Sequence, residues 1–126
     1  MTELSFTTTA AMEELLMEVE GIKKNGVLVV KVTGRMDAVT APDFEKKCIK
    51  WIDEGEKVFI LDFKGLEYIS SAGLRSILAA GKKLKAQNGK LLFCNMNGMV
   101  KGVFDISGFA SIFPIFDTLE QALEKA

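Results

Sequence analysis

Histidine is absent from the 126 residues, and cysteine, proline, tryptophan and tyrosine are scarce, at two, two, one and one. Without histidine no serine can be activated by a Ser-His-Asp relay, and no serine is followed three positions later by the lysine of an S-x-x-K site. A G-x-S-x-G elbow is missing too, because Ile69 stands where its first glycine would be. Two cysteines, Cys48 and Cys94, with no histidine are too few ligands for a zinc centre, and no carboxylates are spaced like a calcium loop. Gly81-Lys82 has neither the preceding glycine nor the following Ser/Thr of a phosphate-binding loop and falls within a helical pattern. No metal and no cofactor are expected.

Charge of one sign is also lacking. Sixteen basic and seventeen acidic residues leave a net charge of -1, and the basic residues cluster only as pairs such as Lys46-Lys47 and Lys82-Lys83. That argues against nucleic acid or an anionic membrane as partner. No apolar run approaches the roughly 20 residues of a bilayer span, and "MTELSFTTTAAMEELL" has neither the basic start nor the apolar stretch of a secretory signal. A cytoplasmic protein is expected, with both cysteines as buried, reduced thiols.

What is present is enough for one globular domain: 48% hydrophobic and 26% charged residues. "LLMEVEGIKK", the turn pair Asn25-Gly26 and "VLVVKVTG" predict a β-hairpin. A first helix follows, with Thr40 and Asp43 as a capping-box-like pair, Phe44, Cys48, Trp51 and Ile52 on one face, and Gly55 as its stop. "KVFILDF" predicts a central strand covered on both faces. A second helix starts near Ser71, turns Leu74, Ile77, Leu78 and Leu84 inward and Arg75, Lys82 and Lys85 outward, and ends at Asn88-Gly89. "KLLFCNM" is the next strand, "MVKGVFDISGF" a short helix closed by Gly108, "IFPIF" an edge strand carrying Pro114, and Thr118 to Lys125 a last helix capped by Thr118 and Gln121. Residues 1–13 are expected to form a tail or short helix ahead of one domain over residues 14–126. Strands separated by helices imply a mixed, mainly parallel α/β sheet.

Parallel strands bring their carboxyl ends to one edge, where ligands and partners of such folds usually meet. "GRMDAVT", "LEYISSAGL" and "CNMNGM" should converge there. The expected surface therefore combines Met36 and Asp37, the turn Ile69, Ser70, Ser71, Ala72, Gly73 and Leu74, and Met96 and Met99, with at least one methionine buried instead. Asp37 has two open roles, holding the nearby turn or cap and contacting a partner. Asp37 and Asp62 are commoner as caps and loop anchors than as catalysts, so a binding protein rather than an enzyme is expected. A serine in the "ISSAGL" turn suits an N-cap. It equally suits a phosphate, since free backbone N–H groups and the helix dipole favour added negative charge there.

The order "GVLVVKVTGRMDAVTAPDFEKKC", "VFILDFKGLEYISSAGLRSIL", "GKLLFCNMNGMVKGVFDISGF" resembles the STAS domain, and specifically the stand-alone bacterial anti-sigma factor antagonists, over roughly residues 14 to 125. The most specific stretches are "TGRMD", "LDFKGLEYISSAGL" and "VFDISGF". The resemblance implies a fold of βα superhelical turns and a partner switch. The domain would bind an anti-sigma factor that is also a serine kinase of the GHKL type, be phosphorylated by it and be restored by a PP2C-type phosphatase. It implies Ser71, two residues before Gly73, as the phosphorylated position, with Ser70 as the alternative. Ser70 stands where many members of that family carry aspartate. The other reading is a constitutive adaptor subunit of a regulatory or transport assembly, in which Ser71 is only a cap.

Overall fold

The computed structural model describes residues 16–126. The tail or short helix expected over residues 1–13 lies outside them. Strands β1 (Met17–Lys24) and β2 (Val27–Met36) form the hairpin, with Lys24 opposite Val27 across a two-residue turn. Asn25 at φ 51° and Gly26 at φ 80° supply the two positive φ angles that a turn of this hand requires. There follow α1 (Ala41–Asp53), β3 (Val58–Ile69), α2 (Ser71–Ala86), β4 (Lys90–Cys94), α3 (Gly98–Ser107), a 3-10 turn (Phe109–Ser111), β5 (Ile115–Phe116) and α4 (Leu119–Lys125). The sheet order is β1-β2-β3-β4-β5, antiparallel in the hairpin and parallel from β2 onward. It is the mixed, mainly parallel α/β sheet that the alternation of strand and helix signals predicts, with β3 at its centre.

Strand alternation decides which residues enter which layer. Leu28, Val30, Phe59, Leu61, Leu91 and Phe93 face the large core that Phe44, Cys48, Ile77, Leu84, Val100 and Phe104 complete from α1, α2 and α3. Their neighbours Val27, Ile60, Leu92 and Cys94 form a smaller core on the other face, beneath Ala122 of α4. Both faces of β3 are thus covered, and Phe59 through Phe63 are all buried.

β3 runs six residues beyond the "KVFILDF" segment predicted for it. Between Lys31 and Thr33 of β2, and again between Gly34 and Arg35, the register on β3 advances by one extra residue. Each bulge resets the alternation, so the buried positions pass from Phe63 to Leu66 to Ile69 at a spacing of three. Pairing therefore continues through residues that lack a two-residue pattern.

Both cysteines are buried free thiols. Burial first, then Glu45, pushes the Cys48 thiol up to about 12; burial, then Asp62 and Glu120, does the same for Cys94, also to about 12. The folded chain thus retains thiol protons that the unfolded chain loses from about pH 8.5. Folded protein then binds more protons than unfolded, so this contribution is constant at lower pH and stability declines as pH rises toward 12. A disulfide reagent at pH 8 is expected to leave both thiols untouched in the folded protein and to titrate both in urea. Rapid reaction of either in the folded state would contradict the burial.

Candidate functional site

Met36 ends β2 directly beside Ile69, the end of β3. The Ser70 N–H donates to the Met36 carbonyl at 2.9 Å, so the two chain exits are tied together at one point of the sheet edge. Close approach explains the glycine that follows. A Cβ on Gly73 would lie 2.7 Å from Ile69 Cγ1 and 3.0 Å from the Met36 carbonyl oxygen, so the first turn of α2 sits on the strand ends only because position 73 has no side chain. Ser76, one turn on, is buried and donates its hydroxyl to the Gly73 carbonyl at 2.7 Å.

The two serines have different surroundings. Ser70 is the N-cap of α2: its backbone is extended and its Oγ accepts from the Gly73 N–H at 3.3 Å. Ser71 is the first helical residue; it is exposed, and its hydroxyl makes no hydrogen bond among the described residues. The helix starts at Ser71 as expected, and of the two serines it is Ser70, not the Ser71 of the adaptor reading, that caps it. A cap requires extended backbone before the helix, and Ser70 has it.

Asp37 holds the turn into α1. Its Oδ1 accepts from the Val39 N–H at 3.0 Å and the Thr40 N–H at 3.2 Å. The capping-box expectation for Thr40 and Asp43 fails: Thr40 is buried in α-region backbone, and its hydroxyl donates back to the Arg35 carbonyl at 2.7 Å. It also accepts from the Asp37 N–H at 3.0 Å. Asp37 and Thr40 therefore bond each other's backbone across the turn. Asp37→Ala should cost about 1 kcal/mol, as loss of a cap does, whereas Asp37→Asn keeps the Oδ1 acceptor and should retain most of that stability. Thermal melts of the two variants test this; equal losses would assign the stabilisation to the charge.

Of the surface expected from the sequence, Asp37, Ser70, Ser71, Ala72, Leu74, Met96 and Met99 are wholly or partly accessible, Met99 at 63%. Met36 and Ile69 are not: at 0% and 4% exposure they pack in the core, and Gly73 is buried beneath the helix. Their side chains hold the turn from below, because strand alternation points them inward at the last pair of the β2–β3 ladder. The edge is also stepped. β4 stops at Cys94, opposite Asp62, whereas β3 continues to Ile69. Asn97 caps α3, accepting from the Val100 N–H at 2.9 Å, and its side-chain amide donates to the Leu66 carbonyl at 2.9 Å. The methionine segment is thus moored at Leu66, two β2 residues or about 7 Å behind the Met36–Ile69 pair that precedes Ser70.

The same step separates the two aspartates considered for catalysis. Asp62 pairs with Lys31 in the ladder, while Asp37 follows Met36, which pairs with Ile69. Five residues of β2, about 17 Å, lie between those levels, the two extra residues of β3 being taken up in its bulges. Asp62 is 6% exposed and its Oδ1 accepts from the Lys64 N–H and the Asn95 side-chain amide. It anchors a loop, and the two carboxylates share no site.

Two features of this edge escaped sequence reasoning. Arg35 lies over the Tyr68 ring, 4.4 Å from its centroid, with Nε 3.9 Å from Asp37 Oδ2; only the bulged register makes Arg35 and Tyr68 neighbours. The other is the Asn97 cap, for which an asparagine before a helical pattern was a usable signal. Among the described residues no group of three or more Asp, Glu or Cys side chains could hold a metal, and no helix is long and apolar enough to cross a membrane.

Residues 17–122 match the model of the STAS domain family. The chain belongs to the STAS domain family. BtrV of Bordetella bronchiseptica, which bears the name of an anti-sigma factor antagonist, is 39% identical over 100 residues, 79% of this STAS chain and 86% of its own. The anti-sigma F factor antagonist of Paenibacillus polymyxa is 29% identical over 110 residues, 86% of this chain and 94% of its own. In three dimensions the domain superposes on the crystal structure of an anti-sigma factor antagonist from Mycobacterium paratuberculosis with a TM-score of 0.80 at 26% identity, over 86% of this chain and 92% of that one.

Proposed function

We propose that this STAS domain, with residues 14–126 as its one folded unit, is a cytoplasmic anti-sigma factor antagonist whose binding is switched by phosphorylation of Ser71. Its partners in this reading are an anti-sigma factor that is also a GHKL-type serine kinase and a PP2C-type phosphatase that restores the hydroxyl. The relatives' names support the antagonist role. One observation carries the choice of serine: Ser70 is engaged as the cap of α2, while the neighbouring Ser71 hydroxyl is exposed and unbonded among the described residues. A kinase that supplies its own base and ATP needs only such a hydroxyl, in keeping with a chain that has no histidine. Modification of Ser70 would turn the capping hydroxyl oxygen into an ester oxygen beside the Gly73 N–H, whereas modification of Ser71 leaves that cap as it is.

The constitutive adaptor reading gives Ser71 only a capping role, and the cap at this helix start is Ser70. To test the proposal, tagged protein is recovered from its native cytoplasm, and partners and phosphosite are read by mass spectrometry. A kinase-type anti-sigma factor and phosphate on Ser71 are the expected finds. Phosphate on Ser70 alone moves the switch by one residue; transporter subunits with no phosphate restore the adaptor.

A further inference from the structure

The proposed phosphate would need a counter-charge, and α2 carries one in an unusual setting. The helix contains Arg75, Lys82, Lys83 and Lys85 and no aspartate or glutamate, although the whole chain has a net charge of -1. Lys83 is engaged by Asp53 of α1 at 3.2 Å. Arg75 is exposed and stands four residues after Ser71, which puts the two side chains on the same helix face about 6 Å apart at their Cβ atoms. It also lines a 410 Å³ cleft between α1 and α2, together with Ala41, Glu45, Lys46, Ile49 and Ala72. An acidic group N-terminal to a basic one at this spacing is the favoured order in a helix.

Resting on the reading of Ser71 as the phosphorylated residue, we infer that Arg75 is the internal receiver of the phosphate: the guanidinium turns from the α1–α2 cleft to take two phosphate oxygens in a forked contact. The phosphoryl group supplies three strong acceptors and close to two negative charges at neutral pH, and a guanidinium matches two such oxygens at once. The modification would then alter the surface twice, adding an anion at position 71 and withdrawing the cation that lines the cleft beside Ala72. The other charged residues lining this cleft are Glu45 and Lys46 from α1; Asp37, paired with Arg35, lies in the β2–α1 turn. Arg75 is the basic residue one turn from position 71 on the same helix face.

The test installs phosphoserine at position 71 during translation, so it does not depend on which residue a cellular kinase uses. A phosphorus NMR titration then reads the second ionisation of the phosphate, ordinarily about 6. In the otherwise unaltered protein it should fall below that of the Arg75→Gln variant by about half a pH unit, with Arg75→Lys between the two. Lys82→Gln, which removes a cation of the same helix farther from the phosphate, should leave the titration where it was. Identical titrations with and without Arg75, or an equal shift on removing Lys82, would overturn the inference, and neither result would bear on whether Ser71 is phosphorylated in the cell. Conversely, absence of phosphate on Ser71 in the native cytoplasm would end the assignment of the switch to Ser71 while leaving this titration unchanged.

Discussion

Phe104→Ala is expected to destabilise the domain by about 3–5 kcal/mol, a large part of the roughly 5–15 kcal/mol by which a domain of this kind is folded. Phe104 is fully buried and sits among three other rings, with centroids 5.1 Å from Phe93, 5.6 Å from Phe109 and 6.3 Å from Phe63. The rings meet edge to face, the arrangement their quadrupoles favour, and Phe113 extends the cluster from Phe93 and Phe109. Truncation removes the transfer energy of one ring and leaves a void that four elements border. Of α3 only Val100 would then remain fully buried in that core. Chemical denaturation should report the loss directly, and the melting temperature should fall by about 10 to 20 °C. A loss below about 1 kcal/mol would mean that the rings close over the gap. Since Asn97 at the start of α3 is bonded to β3 at Leu66, loosening this helix also frees the Met96 to Met99 segment while Ser71, on α2, keeps its own supports.

The elements legible in the sequence were those whose signals are local. Asn25-Gly26 requires positive φ at two successive residues and Gly108 ends α3 at φ 83°, so hairpin and helix end could be placed from single residues. The apolar run Phe59 to Leu61 placed the central strand because burial on both faces leaves no polar position. The far half of β3 was not legible, since two bulges break its alternation and show only in its pairing with β2. Gly65 in that half faces Thr33, whose Oγ1 would be 2.9 Å from an added Cβ, a contact that no count along one strand reveals. At the site, the serine pair, Asp37 and the convergence of β2 and β3 followed from topology. The burial of Met36 and Ile69 did not: inward or outward at a strand end depends on register, and one residue of slip exchanges the faces. Which serine caps the helix was open for a related reason, because adjacent serines are chemically alike and only the extended backbone at Ser70 separates them.

Under the proposed switch, Ser71→Asp is expected to fold normally and to bind the proposed partner kinase more weakly by on the order of 2 kcal/mol, about thirtyfold, while Ser71→Ala binds as the unmodified protein does and accepts no phosphate at that position. Normal folding follows from position: residue 71 is exposed at the first helical residue, its side chain bonds nothing among the described residues, and negative charge there is favoured by the helix dipole. Weak binding follows from the same exposure. A partner that closes over a neutral hydroxyl at the joined ends of β2 and β3 must desolvate a carboxylate or a phosphate in its place. Full phosphorylation should exceed the effect of aspartate, because it brings close to two charges and three acceptor oxygens. Titration calorimetry with the recovered kinase, using the wild-type, Ala, Asp and phosphorylated forms, gives the four affinities, and thermal melts of the same samples separate binding from folding. Equal affinity across all four forms would remove Ser71 from the interface. Loss of binding in Ser71→Ala alone would make the hydroxyl a direct contact, so that phosphorylation would act by masking a hydrogen bond and not by charge.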